Sequence, residues 1–163
     1  MVTTETPTAQ APPPPTAPPL VSRLEVSFSI LVTDDDKGSR DTLAGLLKDR
    51  GFSALTARSG EEAIEIVRVE MVHLVFLDLH MPRMTGLEAL QQVRLFNALL
   101  PAILVTADAT REVLRQALQA QVYSVIPKPV NKNLLLHTLA RALAQVYGQA
   151  APDPTVPPAP VPE

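Results

Sequence analysis

Residues 74–86 read LVFLDLHMPRMTG, and this stretch decides the fold. Four apolar residues, Leu74 to Leu77, run into one carboxylate, Asp78. Such a run fits a strand buried on both faces of a parallel sheet. The turn after it ends in Thr85-Gly86-Leu87-Glu88, a capping box that opens a helix. A buried strand that delivers a lone Asp to its C-terminal end is costly unless that charge has partners.

Working outward, the chain alternates short apolar runs with helical patterns. Upstream, Phe28 to Thr33 (FSILVT) predicts a first strand. Lys37 to Arg50 predicts a helix with Leu43, Leu46 and Leu47 on one face and Gly51 at its end. Phe52 to Thr56 is a short second strand. Ser59-Gly60-Glu61-Glu62 is another capping box, and its helix turns Ala63, Ile64 and Val67 inward. Downstream, the third helix runs to about Phe96, and Ala102 to Thr106 (AILVT) is a fourth strand. Asp108 or Thr110 caps the next helix, with Val113, Leu114, Ala117 and Leu118 inward. Tyr123 to Ile126 is the fifth strand. Asn131 caps a last helix to about Tyr147, with Leu135, Leu139, Ala142, Leu143 and Val146 inward. Five such units predict an α/β, flavodoxin-like, doubly wound fold. Its five-stranded parallel sheet has the order 2-1-3-4-5, with helices on both faces and the weak second strand at an edge. The functional site then sits at the carboxyl ends of the strands, where the order reverses.

Composition bounds the rest. Of 17 prolines, 13 lie in the first 20 or last 13 of 163 residues. Residues 1–22 and 149–163 are therefore expected to be proline-rich tails, extended or disordered, around a domain at 23–148. The N-terminus lacks a basic region followed by an apolar core, so no signal peptide is expected. No apolar run is long enough for a membrane span. With no cysteine there is no disulfide framework or thiolate metal site. A net charge of −3 gives no general attraction to nucleic acid. A cytoplasmic protein without direct nucleic-acid or membrane binding is expected.

The residues just past each strand define the site. Strand one ends in Asp34-Asp35-Asp36, strand three in Asp78, strand four in Thr106 and strand five in Lys128. Several carboxylates gathered at one edge repel one another unless a cation sits among them. Oxygen-only donors, with no His or Cys spacing, suit a hard ion, Mg²⁺ or Mn²⁺. A carboxylate nucleophile, a divalent cation, a Lys and a Thr hydroxyl together suit phosphoryl transfer onto Asp78.

The pieces LVTDDD, FLDLHMPRMTGLEAL, ILVTA and PKP, in this order, make residues 27–148 resemble the CheY-like receiver domain of two-component response regulators. The resemblance implies that Asp78 is the phosphoacceptor and that Asp34 and Asp35 hold Mg²⁺, with the His80 backbone carbonyl as a further metal ligand. It implies that Thr106 bonds the phosphoryl group on activation, that Lys128 pairs with it, and that the Lys128-Pro129 bond is cis. Asp36 reads as a helix cap. The implied donor is a sensor histidine kinase or a histidine phosphotransfer protein, and the implied output is a protein target. No output domain is expected beyond Tyr147, so the chain is expected to act as a single-domain regulator rather than an enzyme.

The chain departs from the family at one position. The family often carries an aromatic switch residue three positions before the Lys, and here that position is Val125. Tyr123 is expected on the same side as Val125 by strand alternation. Ser39 and Arg40, exposed on the first helix, are candidate kinase contacts, and His73 and His137 read as surface residues. Two other functions are weighed. One is a receiver-fold interaction module whose partners bind regardless of phosphate. The other is an Asp-nucleophile phosphatase of the haloacid-dehalogenase kind built on Asp34 and Asp36. The latter lacks a second acidic pair after Lys128 and leaves Asp78 unexplained.

Overall fold

Each apolar run becomes a strand and each capped pattern a helix. The computed structural model describes residues 28–148. In order these form β1 (Ser29–Thr33), α1 (Lys37–Asp49), β2 (Ser53–Ala57), α2 (Gly60–Val69), β3 (Leu74–Asp78), α3 (Gly86–Phe96), β4 (Ala102–Thr106), α4 (Arg111–Gln119), β5 (Ser124–Pro127) and α5 (Lys132–Tyr147). The sheet has the order β2-β1-β3-β4-β5, with every pair parallel. This is the flavodoxin-like order expected from the sequence. The two tails, and residues 23–27 of the expected domain, lie outside the described residues.

Strand alternation divides the core in two. Leu31, Val75, Leu77 and Leu104 face α2, α3 and α4, where they meet Ala63, Ala89, Leu90, Val93 and Val113. Ile30, Val32, Phe76, Ile103 and Ile126 face α1 and α5, where they meet Leu47, Leu135, Leu139 and Leu143. Every residue of β3 and β4 is buried, whereas β2 is half open, as an edge strand should be. Burying each large aliphatic side chain contributes roughly 1.5–3 kcal/mol, so β3 is held chiefly by this two-sided packing. Each of these helices starts on a side-chain cap: Asp36, Ser59, Thr85, Thr110 and Asn131 each accept a backbone N–H three residues on. Thr110, not Asp108, caps α4.

Three expectations about packing are corrected. Leu114 and Leu118 are 46% and 78% exposed, because α4 buries only the narrow seam of Val113 and Ala117. Val146 is exposed at the end of α5, where its neighbour Tyr147 makes the inward contacts instead. Tyr123 lies in the turn before β5, just after Gln121 at φ 56°, so strand alternation does not reach it. It packs with the α5-side core, whereas Val125 packs with the α4-side core.

Candidate functional site

The parallel register brings the strand ends level. Thr33 pairs with Leu77, Asp78 with Val105 and Thr106 with Pro127. The residues just beyond β1 and β5, and the last residue of β4, therefore lie level with the last residue of β3. Carboxylate oxygens of Asp34, Asp35 and Asp78 all lie within 4.8 Å of one another. Asp34 and Asp78 are buried and Asp35 is exposed, so the cluster opens to solvent on one side.

Asp34 is held from several directions. Its N–H continues the β1–β2 ladder to the Ala57 carbonyl at 3.1 Å. Its Oδ1 accepts the Asp36 N–H at 2.9 Å, and its Oδ2 accepts Lys128 Nζ at 2.9 Å. Lys128 Nζ also stands 3.3 Å from Asp78 Oδ2, so one ammonium bridges two buried carboxylates. Lys128 reaches that point because its N–H bonds the Thr106 carbonyl at 2.9 Å, extending the β4–β5 pairing, and the next peptide bond, to Pro129, is cis. Thr106 is fully buried, and its Oγ1 accepts the Asp108 N–H at 3.0 Å. Gly86 closes the loop after β3: its N–H bonds the Leu79 carbonyl at 2.9 Å, and a Cβ there would collide with the Asp78 carbonyl oxygen.

The electrostatics of the site arise from this packing. Burial, reinforced by the Asp34 charge and only partly opposed by Lys128, pushes the Asp78 carboxyl up to about 6. Burial by itself would lower the Lys128 ammonium, but its hydrogen bond to Asp34 and the charges of Asp78 and Asp34 outweigh that and hold it above the usual lysine range. Two buried carboxylates and one exposed one face a single ammonium, leaving net negative charge lined by oxygen donors alone. That donor set fits a hard divalent cation, Mg²⁺ or Mn²⁺, and no His or Cys competes within it. A cavity of about 680 Å³ runs from Asp34, Asp78 and Lys128 along α1, past Gly38, Leu46 and Phe76.

The structure brings together Asp34, Asp35, Asp78 and Lys128, and sets Thr106 on the adjoining strand end. Asp36 lies outside the cluster and caps α1 through Ser39, whose backbone hydrogen bond holds its carboxyl below the usual range. His80 is exposed, with Nε2 3.2 Å from Asp108 Oδ2. Arg40 is not the free surface group expected. It is partly buried, and its Nη1 donates to the Asp34 backbone carbonyl at 2.7 Å, while Ser39 is also only partly exposed. His73 is corrected as well. It is buried at the opposite pole, with Nδ1 accepting the Ser29 N–H at 2.9 Å and the Tyr147 hydroxyl donating to its carbonyl at 2.7 Å. His137 is exposed, as expected. The roles of Asp108 and Arg40 were missed because both depend on side chains folding back across a turn, which helical periodicity does not report.

Comparison with known proteins agrees with this geometry. The family described as "Response regulator receiver domain" matches residues 30–140. Over 130 residues the chain is 32% identical to the transcriptional regulatory protein ZraR of Escherichia coli (strain K12), covering 80% of this chain and 30% of that protein. Over 134 residues it is 34% identical to the sensory/regulatory protein RpfC of Xanthomonas campestris pv. campestris, covering 80% of this chain and 18% of that protein. Both relatives are thus several times longer than the matched region. A crystal structure of a CheY-like receiver domain protein from Methanospirillum hungatei JF-1 superposes with a TM-score of 0.71 at 28% identity, over 74% of this chain and 96% of that one. With the match running from β1 into α5, over a 2-1-3-4-5 sheet whose carboxyl edge gathers three Asp and a Lys, the chain belongs to the response regulator receiver domain family of two-component systems.

Proposed function

We propose that this chain is a phosphorelay receiver in which Asp78 accepts a phosphoryl group from a phosphohistidine. The donor is a sensor histidine kinase or a histidine phosphotransfer protein, and the signal passes on by protein–protein interaction. The observation that carries the reading is the Asp34, Asp35, Asp78 and Lys128 constellation at the strand ends. An Asp78 carboxylate oxygen attacks phosphorus, the P–N bond to the donor imidazole breaks, and the imidazole leaves with the bonding pair, producing an aspartyl-phosphate. Asp34, Asp35, Asp78 and the His80 carbonyl would hold Mg²⁺. When bound, that ion supplies charge neutralisation at the phosphoryl oxygens. Lys128 already points at Asp78 and pairs with the transferred group, while the Thr106 hydroxyl, whose oxygen accepts the Asp108 N–H, donates its proton to a phosphoryl oxygen. In this reading the chain is a stoichiometric acceptor in the cytoplasm, not an enzyme that turns over substrate. Proline-rich tails at 1–22 and 149–163 are proposed as spacers around the 23–148 domain.

The phosphatase reading finds no support in the site, since Asp36 is engaged as a cap. A phosphate-independent interaction module draws on one observation, the half-buried Val125 where a switch aromatic was expected. One experiment separates the two surviving readings. After incubation with Mg²⁺ and acetyl phosphate, intact mass should report one acid-stable, base-labile phosphate on the wild type and none on Asp78→Asn. Equal labelling of both proteins removes Asp78 as acceptor, and no labelling of either favours the interaction module.

A further inference from the structure

Two carboxylates that must present themselves to a cation need more than a strand end to hold them. β1 stops at Thr33, and α1 starts at Lys37. Asp34 and Asp35 therefore occupy a three-residue turn whose backbone is tied to the strand ladder by the Asp34 N–H and to α1 by the Asp36 carbonyl. Asp36 fastens the far side of this turn to α1 by capping Ser39. The Asp36 N–H closes back on Asp34 Oδ1 at 2.9 Å, which leaves the Asp34–Asp35 peptide as the joint whose rotation would swing both carboxylates. Arg40 reaches it, with Nη1 donating to the Asp34 carbonyl oxygen at 2.7 Å. Arg40 is itself part of α1, with its N–H bonded to the Asp36 carbonyl at 3.0 Å. Its guanidinium therefore ties the turn to a rigid helix through the backbone, while Lys128 ties the Asp34 carboxylate at 2.9 Å.

We propose that Arg40 is a positioning residue for the cation site: its hydrogen bond to the Asp34 carbonyl fixes the Asp34–Asp35 peptide so that both carboxylates converge with Asp78. The proposal rests on the reading of Asp34 and Asp35 as Mg²⁺ ligands. Its consequence has a distinctive sign. Arg40 is a cation beside a cation site, so by charge alone it disfavours Mg²⁺, and removing it should tighten binding. If its hydrogen bond sets the ligand geometry, removing it should instead weaken binding, despite the loss of a repelling charge. Loss of groups that orient metal ligands typically weakens metal affinity by about 10–100-fold.

The test titrates the full chain with MgCl₂ and follows the amide shifts of Asp35, Asp36 and Leu79. Four proteins are compared: wild type, Arg40→Gln, Arg40→Lys and Lys37→Ala. Lys37 supplies the charge control, because it sits on the same first turn, 80% exposed, and pairs with Asp41. The positioning role predicts an apparent Mg²⁺ Kd about tenfold higher for Arg40→Gln. Arg40→Lys, which keeps the charge and one donor, should fall between Gln and wild type. Lys37→Ala should bind Mg²⁺ as tightly as wild type or slightly tighter. The Asp35 and Asp36 amides of Arg40→Gln should also show lower order parameters before any Mg²⁺ is added. Wild-type or tighter binding by Arg40→Gln overturns the positioning role while leaving the cation site intact. A wild type whose amides do not respond to MgCl₂ overturns the reading of the site on which this one rests.

Discussion

Asp34 and Asp78 sit 94 and 50 positions before Lys128, yet share its one ammonium within 3.3 Å. The raised Asp78 carboxyl is chiefly the effect of its burial, to which the neighbouring Asp34 charge adds and which Lys128 only partly opposes. His73 shows the same physics on a neutral group. Burial holds its imidazole below the ordinary value of 6.5, and Nδ1 must stay unprotonated to accept the Ser29 N–H. The unfolded chain therefore takes up this proton first as pH falls. Stability contributed by neutral His73 is present above about pH 6.5 and is lost as pH falls through its depressed folded value. His73→Asn keeps an acceptor for Ser29 but loses the ring contacts with Phe28 and Tyr147. It should be about 1 kcal/mol less stable than wild type at pH 7.5. That gap should narrow at pH 5, as denaturation at the two pH values would measure. A constant gap would mean His73 does not titrate on unfolding.

At the scale of elements, two glycines with opposite surroundings explain how the loop after β3 and the helix beside the site are built. Gly86 opens α3 directly against the Asp78 backbone, where no Cβ fits. Gly45 lies mid-way along α1, where a Cβ meets nothing within 4 Å. Gly86→Ala should therefore lower stability by about 1–3 kcal/mol through overpacking and shift the Asp78 and Leu79 amides. Gly45→Ala should raise stability by about 0.5–1 kcal/mol, because a helix interior favours Ala over Gly. Thermal denaturation of both variants checks the contrast, and equal effects would contradict these surroundings. The same scale explains α4. Its apolar stripe is broad enough in sequence for four inward residues, but the structure covers only Val113 and Ala117.

Across the whole molecule, the two described ends close on each other at the pole opposite the acidic cluster. Phe28 precedes β1, His73 precedes β3, and Tyr147 ends α5; the Phe28 ring centroid lies 5.0 Å from that of His73 and 5.4 Å from that of Tyr147. The Tyr147 hydroxyl spans 74 residues of sequence to bond the His73 carbonyl. Tyr147→Phe should remove that bond at a cost of about 1 kcal/mol, with faster amide hydrogen exchange in the last turn of α5. Unchanged exchange there would show that the rings alone hold the helix end.

The order and type of these ten elements were legible in the chain, because apolar runs, capping boxes and Gly or Pro breaks are local signals. So was the placement of Asp34, Asp35, Asp78, Thr106 and Lys128 at one edge, because a parallel βα sheet delivers its strand ends there. Direction of burial at the margins was not legible. Leu114, Leu118 and Val146 continue an apolar periodicity that the described fold has no surface left to cover, and Tyr123 falls in a turn where alternation has no meaning. Nor could local pattern reveal that Arg40 folds back onto the Asp34 carbonyl or that His73 is packed between Phe28 and Tyr147. Sequence by itself determined which strand-end groups come to one edge of the sheet. Tertiary structure decided which of them hold the others in place, because that depends on contacts between side chains that no local periodicity encodes.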